Sequence, residues 1–163
     1  MRFVKLAVIS FIVLSLVIYA LSLLIPSEMR VSRAVTINAS RDSVWKALKN
    51  VPAWSSWNIM LQQSFTNITT DSTQFKADQL EVRVISATND LIQTSWQQSG
   101  NEKINSAFSL TAAGADKTVL QWYFDFKVKW YPWEKFGSII FDKQMGPGME
   151  QSLNNFRKQL EAQ

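Results

Sequence analysis

The sequence predicts an α+β domain: an antiparallel sheet with one apolar face, covered by a single long C-terminal helix and preceded by one apolar N-terminal segment. Three observations carry this reading. Residues 6–25, LAVISFIVLSLVIYALSLLI, contain no charge, proline or glycine. In TVLQWYFDFKVKW at 118–130, Leu120, Trp122, Phe124, Phe126, Val128 and Trp130 share one face, while Gln121, Tyr123, Asp125 and Lys127 share the other. Near the C-terminus, Met145, Met149, Leu153, Phe156 and Leu160 recur at the spacing of one helical face.

The apolar segment comes first. At ~1.5 Å per residue its length matches the ~30 Å hydrocarbon core of a bilayer. A cleaved signal peptide, the rival reading, wants an apolar core of roughly 7–15 residues before a small-x-small site. Ala20-Leu21-Ser22 is a poor site, because Leu23-Leu24-Ile25 continues the apolar run. The absence of cysteine excludes a lipoprotein anchor. An anchor over 1–25 is therefore favoured. Arg2 and Lys5 before the span and Arg30 and Arg33 after it favour a cytoplasmic N-terminus only slightly.

Pro26-Ser27-Glu28 ends the span and opens a linker at 26–30. Residues 29–38 alternate, with Val31, Arg33, Val35 and Ile37 on one face of a strand. A helix follows, with Ser40 as its cap, Asp42 in its first turn, and Val44, Trp45 and Leu48 as its apolar stripe. It stops near Asn50, and Pro52 opens a second short element, PAWSSWNIM. From 65 to 130 the pattern is β throughout. Ile92, Thr94 and Trp96 share a face of 91–98, and Ile104, Phe108 and Leu110 share a face of 103–112. Asn89-Asp90, Ser99-Gly100-Asn101 and Ala113-Gly114-Ala115-Asp116 are turn signals, so neighbouring strands pair as an antiparallel meander. Tyr131-Pro132 ends the last strand, and 133–161 reads as helix. Gly146-Pro147-Gly148 interrupts that helix at a cost of about 1 kcal/mol per glycine and about 3 for proline. The expectation is a bend or break near 143–147, or a helix that restarts with Pro147 in its first turn.

Composition narrows the function. With 163 residues, 47% hydrophobic and 18% charged, the chain can bury one real core. Its net charge of +4 is interspersed, with no lysine or arginine run, which argues against nucleic acid as a partner. Without histidine or cysteine it lacks the commonest general base, the usual zinc ligands and the thiol nucleophile. No nucleophile elbow, phosphate loop or dinucleotide fingerprint is present. The expectation is no catalytic residue, no metal and no cofactor; Asp125, Asp142 and Glu150 read as solvated carboxylates. Seven tryptophans and ten phenylalanines are the remaining signal.

Two stretches carry a family resemblance. VSRAVTINASRDSVWKALKNVPAWSSW at 31–57 resembles the opening strand and helix pair of the START-like helix-grip superfamily of polyketide-cyclase and lipid-transport domains, also called SRPBCC. WYFDFKVKWYPWEKFGSIIFDKQMGPGMEQSLNNFRKQLE at 122–161 resembles its last strand and gripping helix. Residues 6–26 look similar to the single span of its membrane-anchored members. The resemblance implies a helix-grip domain over 31–163, a curved antiparallel sheet wrapped around the long helix with a cavity between them. In the family that cavity takes lipids, polyketides, sterols or other apolar small molecules; a minority of members are enzymes, with no shared catalytic motif.

Trp57, Trp96, Trp122, Phe124, Met145 and Met149 are the residues to place around such a cavity, although each also reads as plain core. Arg33 is the candidate anchor for a ligand's carboxylate or phosphate, with a snorkelling or edge-strand role as the alternative. The expected function is a membrane-tethered binding module for a lipid or other apolar small molecule. It would sit in a bilayer through residues 6–25, with the expected location a bacterial inner membrane and the domain on the periplasmic side. A ligand-free interaction domain of the envelope is the first alternative, and a cyclase- or hydrolase-type enzyme the second. Protein partners stay open. An apolar pocket of several hundred Å³ would favour binding; a sheet–helix space filled by Trp96, Trp122 and Phe124 would count against it.

Overall fold

Alternating strands joined by turn-forming residues pair with their neighbours in sequence, and the computed structural model, which describes residues 2–62 and 67–162, contains that meander. Its helices are α1 (Arg2–Leu23), α2 (Arg41–Lys49), α3 (Trp54–Trp57), α4 (Pro132–Ser138) and α5 (Phe141–Glu161). Its strands are β1 (Glu28–Ile37), β2 (Thr69–Thr70), β3 (Gln74–Ala77), β4 (Leu80–Thr88), β5 (Leu91–Gln98), β6 (Ile104–Ala112) and β7 (Thr118–Lys127). They form one seven-stranded antiparallel sheet in the order β1-β7-β6-β5-β4-β3-β2. The first two residues of the predicted β stretch, 65–66, lie outside the described residues. Gly100 at φ 82° and Gly114 at φ 147° occupy turns whose backbone other residues adopt only with strain.

The sheet curves, its concave face holds the core, and α5 crosses that face along β1. Ser40 caps α2 by accepting a bond from the Ser43 amide at 3.3 Å. A 3-10 turn, Val51–Ala53, leads into α3, and the Trp54 indole donates to the Leu48 carbonyl at 2.7 Å, fixing the angle between the two helices. Every residue of the core cluster lies between Val31 and Phe156, so residues 27–163 hold their whole core without α1. That first helix is apolar and long enough to cross a membrane; one helix of this kind near the N-terminus is either a span or a signal sequence.

The C-terminal region departs from the expected single helix. The break falls at Ile139–Ile140, between α4 and α5, and α5 runs unbroken through Pro147 instead of restarting there. Pro147 and Lys143 are both exposed, so the carbonyl that Pro147 cannot bond is left on the solvent side. Gly146 has a different reason. It is buried against Arg33, and a Cβ at 146 would collide with the guanidinium, coming within 2.7 Å of Cζ. A Cβ at 148 would meet only ordinary contacts, 3.7 Å to Met60 and 3.9 Å to Ile59.

Candidate functional site between the sheet and the C-terminal helix

Strand register lays the concave face out in rows. Arg33, Trp122, Phe108 and Ile92 are successive cross-strand partners on β1, β7, β6 and β5. The next row is Val31, Phe124, Ser106, Thr94 and Val84, and beyond it Trp96 pairs with Val82 and Ile104. Adjacent rows bring Trp96, Trp122 and Phe124 together, with centroids 5.9 Å (Trp96–Trp122), 5.3 Å (Trp96–Phe124) and 5.2 Å (Trp122–Phe124) apart. Phe108 stacks on Trp122 at 5.0 Å. These rings occupy the space in which the resemblance places a cavity.

A buried indole needs an acceptor. The Trp122 indole donates to Ser106 Oγ at 2.7 Å and the Trp96 indole to Thr94 Oγ1 at 3.1 Å. Thr94 in turn donates to the Ser106 carbonyl at 3.3 Å. Two hydroxyls in the middle of an apolar face are thus explained by the two tryptophans they serve.

Trp57 lies apart from that cluster, reaching it through Phe108 at 6.1 Å and meeting Phe156 of α5 at 4.9 Å. Its ring and that of Phe156 also line a surface groove of about 420 Å³ between α2 and the C-terminal half of α5. The Trp57 indole nitrogen and Asn58 Nδ2 are buried donors with no hydrogen-bond partner among the described residues. Ser152 ties the neighbouring loop to α5: its hydroxyl donates to the Gly148 carbonyl at 2.7 Å and accepts from the Ile59 amide at 3.1 Å.

Met149 is fully buried and Met145 half-buried, on the stripe that the spacing predicts. Met145 is only half covered, as are other apolar residues at the margin of the core. Met60, Phe126, Phe141 and Met145 are all partly buried, Phe126 and Phe141 meet at 4.9 Å, and Phe124 lies behind them. Phe126 was legible on the Phe124 face. Phe141 and Met60 had no signal, because they come from the α5 start and from the chain after α3.

Arg33 leaves the concave face at the β1 edge. Its guanidinium holds the Asp142 carboxylate with two bonds, 2.8 and 3.0 Å, and donates a third to the Ser32 carbonyl. The Asp142 bond raises the arginine pKa and, reciprocally, holds the Asp142 carboxyl below its ordinary range. The guanidinium charge is therefore neutralised within the fold. Thr94, Ser106, Asn58 and Ser152, buried polar side chains of the sheet, the loop after α3 and α5, are all neutral. Among the described residues no group of three or more histidines, cysteines or carboxylates could hold a metal.

The family model for polyketide cyclase / dehydrase and lipid transport matches residues 28–161. No curated protein matches the chain. Among solved structures, a START superfamily protein from Mycobacterium smegmatis is similar at TM-score 0.56 and 20% identity, over 80% of this chain and 98% of that one. Truncated norcoclaurine synthase from Thalictrum flavum is similar at TM-score 0.59 and 14% identity, over 82% and 93%. A Staphylococcus aureus protein of unknown function is similar at TM-score 0.63 and 13% identity, over 83% and 96%. At such identities these likenesses establish the helix-grip fold and nothing finer.

Proposed function

Because the chain belongs to the polyketide cyclase / dehydrase and lipid transport family, we propose that it is a membrane-tethered binding domain for a lipid or another apolar small molecule, taken at the half-open end of the grip. The observation that carries this reading is the half-burial of Met60, Phe126, Phe141 and Met145 in front of the deeper Phe124. Apolar side chains left uncovered at one end of a packed core are what an apolar ligand would cover. Methionines suit such a wall, since an unbranched thioether adapts to the shape beside it. In this reading Met145 and Phe141 turn aside to admit the ligand, Trp96, Phe124 and Met149 form its floor, and Trp57 and Trp122 support that floor from behind. Arg33 does not meet the ligand; through Asp142 it holds α5 in place. The proposed setting is a bacterial inner membrane, with α1 as the span and the domain on the periplasmic side. A cyclase- or hydrolase-type reaction would need an acid–base pair among the buried residues, and those named above are neutral.

The second reading, a ligand-free interaction domain of the envelope, is favoured by the ring packing of Trp96, Trp122, Phe124 and Phe108. One experiment separates the two: native mass spectrometry of residues 27–163 purified from cells. Binding predicts a co-purifying lipid or apolar small molecule, with occupancy lowered by Met145→Ser. Repeatedly empty spectra, with no rise in Tm on adding lipid, would overturn binding and leave the interaction domain.

A further inference from the structure

The segment between the last strand and the gripping helix carries apolar side chains that the core does not use. Trp130 and Trp133 are 62% and 69% exposed, and Phe136, Ile139 and Ile140 are exposed beside them. Tyr131 stacks on Trp133, with centroids 4.9 Å apart and planes 7° from parallel. The opposite side of α4 faces the end of α1. The Lys135 ammonium, buried, donates to the Ile25 carbonyl at 2.5 Å and to Ser27 Oγ at 3.0 Å. Ser22, near the end of α1, is buried, whereas the rest of that helix is exposed and, from Leu6 on, largely apolar.

We infer that Trp130, Trp133, Phe136, Ile139 and Ile140 dock into the surface of the same bilayer that α1 crosses, on the side where the domain emerges. This rests on the reading of α1 as a membrane span. A helix of 22 residues is ~33 Å long and just covers the hydrocarbon core, so the chain at Ile25 lies at the bilayer boundary. Lys135 bonds that point, which sets α4 at the depth where tryptophan and tyrosine are enriched and where an apolar helix face beds among headgroups. Lys127 and Lys143, both exposed just beyond the two ends of the patch, suit an anionic lipid surface. Phe141 follows the patch directly, so docking holds the half-open end of the grip against lipid.

The chain has no cysteine, so single introduced cysteines can be spin-labelled without background. The full chain would carry a label at Trp133→Cys, Ile139→Cys or Ile140→Cys, with Ile85→Cys on the opposite face of the sheet as the aqueous control and Leu14→Cys within α1. Each is reconstituted in vesicles of phosphatidylcholine with a minority of phosphatidylglycerol, and collisions with oxygen are compared with collisions with a water-soluble nickel chelate. Docking predicts an oxygen-to-nickel ratio several-fold higher at 133, 139 and 140 than at 85, below that at 14. A lipid-like ratio at 14 with water-like ratios at the three patch sites would overturn the docking and leave the span intact. A water-like ratio at 14 would overturn the span, and the docking with it. Dipolar broadening between labels at 133 on separate chains, without oxygen enrichment, would assign the patch to a second copy instead.

Discussion

The two ends of the grip are built from the same kinds of residue and finished differently. At the end covered by α2, Ile37, Val44, Leu48, Trp54 and Leu120 are sealed from solvent, and even the Trp54 indole is bonded to backbone. At the other end Phe126, Phe141 and Met145 are only half covered, and α5 is fastened from outside by the Arg33–Asp142 pair. The α2 end holds more of the fully buried core; at the other end apolar surface stays half covered, and the Arg33–Asp142 pair adds an outer contact to the packing of Met149.

The largest test of that division compares one truncation at each end. Leu120→Ala should destabilise by ~2–5 kcal/mol, as a fully buried leucine removed from a core, whereas Met145→Ala should cost about 1 kcal/mol because half of its surface is already wet. Urea midpoints at equal slope would read the difference, and equal losses would break the contrast. Between the ends, Ser106→Ala leaves the Trp122 indole without its acceptor, at ~1–3 kcal/mol. The double variant with Trp122→Phe should cost less than the sum of the single changes. The glycines of α5 give a smaller and signed test. Gly148→Ala should stabilise by up to about 1 kcal/mol of helix propensity. Gly146→Ala should lose that gain, because the new methyl displaces Arg33 from Asp142; equal stabilisation by both would show that Arg33 does not need the space.

The smallest expected effect is that of Asp142→Asn. Since the folded carboxyl is held below its ordinary range, its contribution is present above an unfolded pKa of about 3.9 and fades as pH falls below that value. The native protein and Asp142→Asn should therefore differ slightly at neutral pH and converge in acid, and added salt should shrink the difference. A gap that persisted in acid would mean that Asp142 acts by packing and not by charge.

Much of the architecture was written in periodicity. β7 alternates because one of its faces is buried and the other solvated, and α5 shows its stripe because one side presses on the sheet. What periodicity could not show depends on partners distant in sequence. The break at Ile139–Ile140 goes with α4 packing on the end of α1 through Lys135 and Ile25, and neither residue signals the other. Gly146 looked like a helix defect beside Pro147, yet its reason is a guanidinium that arrives from β1. β2 and β3 are too short to carry a clear period. For the candidate site, the faces of Trp96, Trp122 and Phe124 were legible, and so was the need of each indole for an acceptor. That their rings would fill the space between sheet and helix depends on side-chain rotamers, which spacing does not encode.

Four residues, Leu24 to Ser27, separate α1 from β1, and Lys135 fastens two of them. At ~3.5 Å per residue such a leash reaches about 14 Å even when fully extended. With α1 in a bilayer, the domain cannot ferry cargo to a second membrane. On the proposed reading it would be a stationary receiver, sampling what diffuses laterally past it, and carriage over any greater distance would fall to the ligand or to another protein.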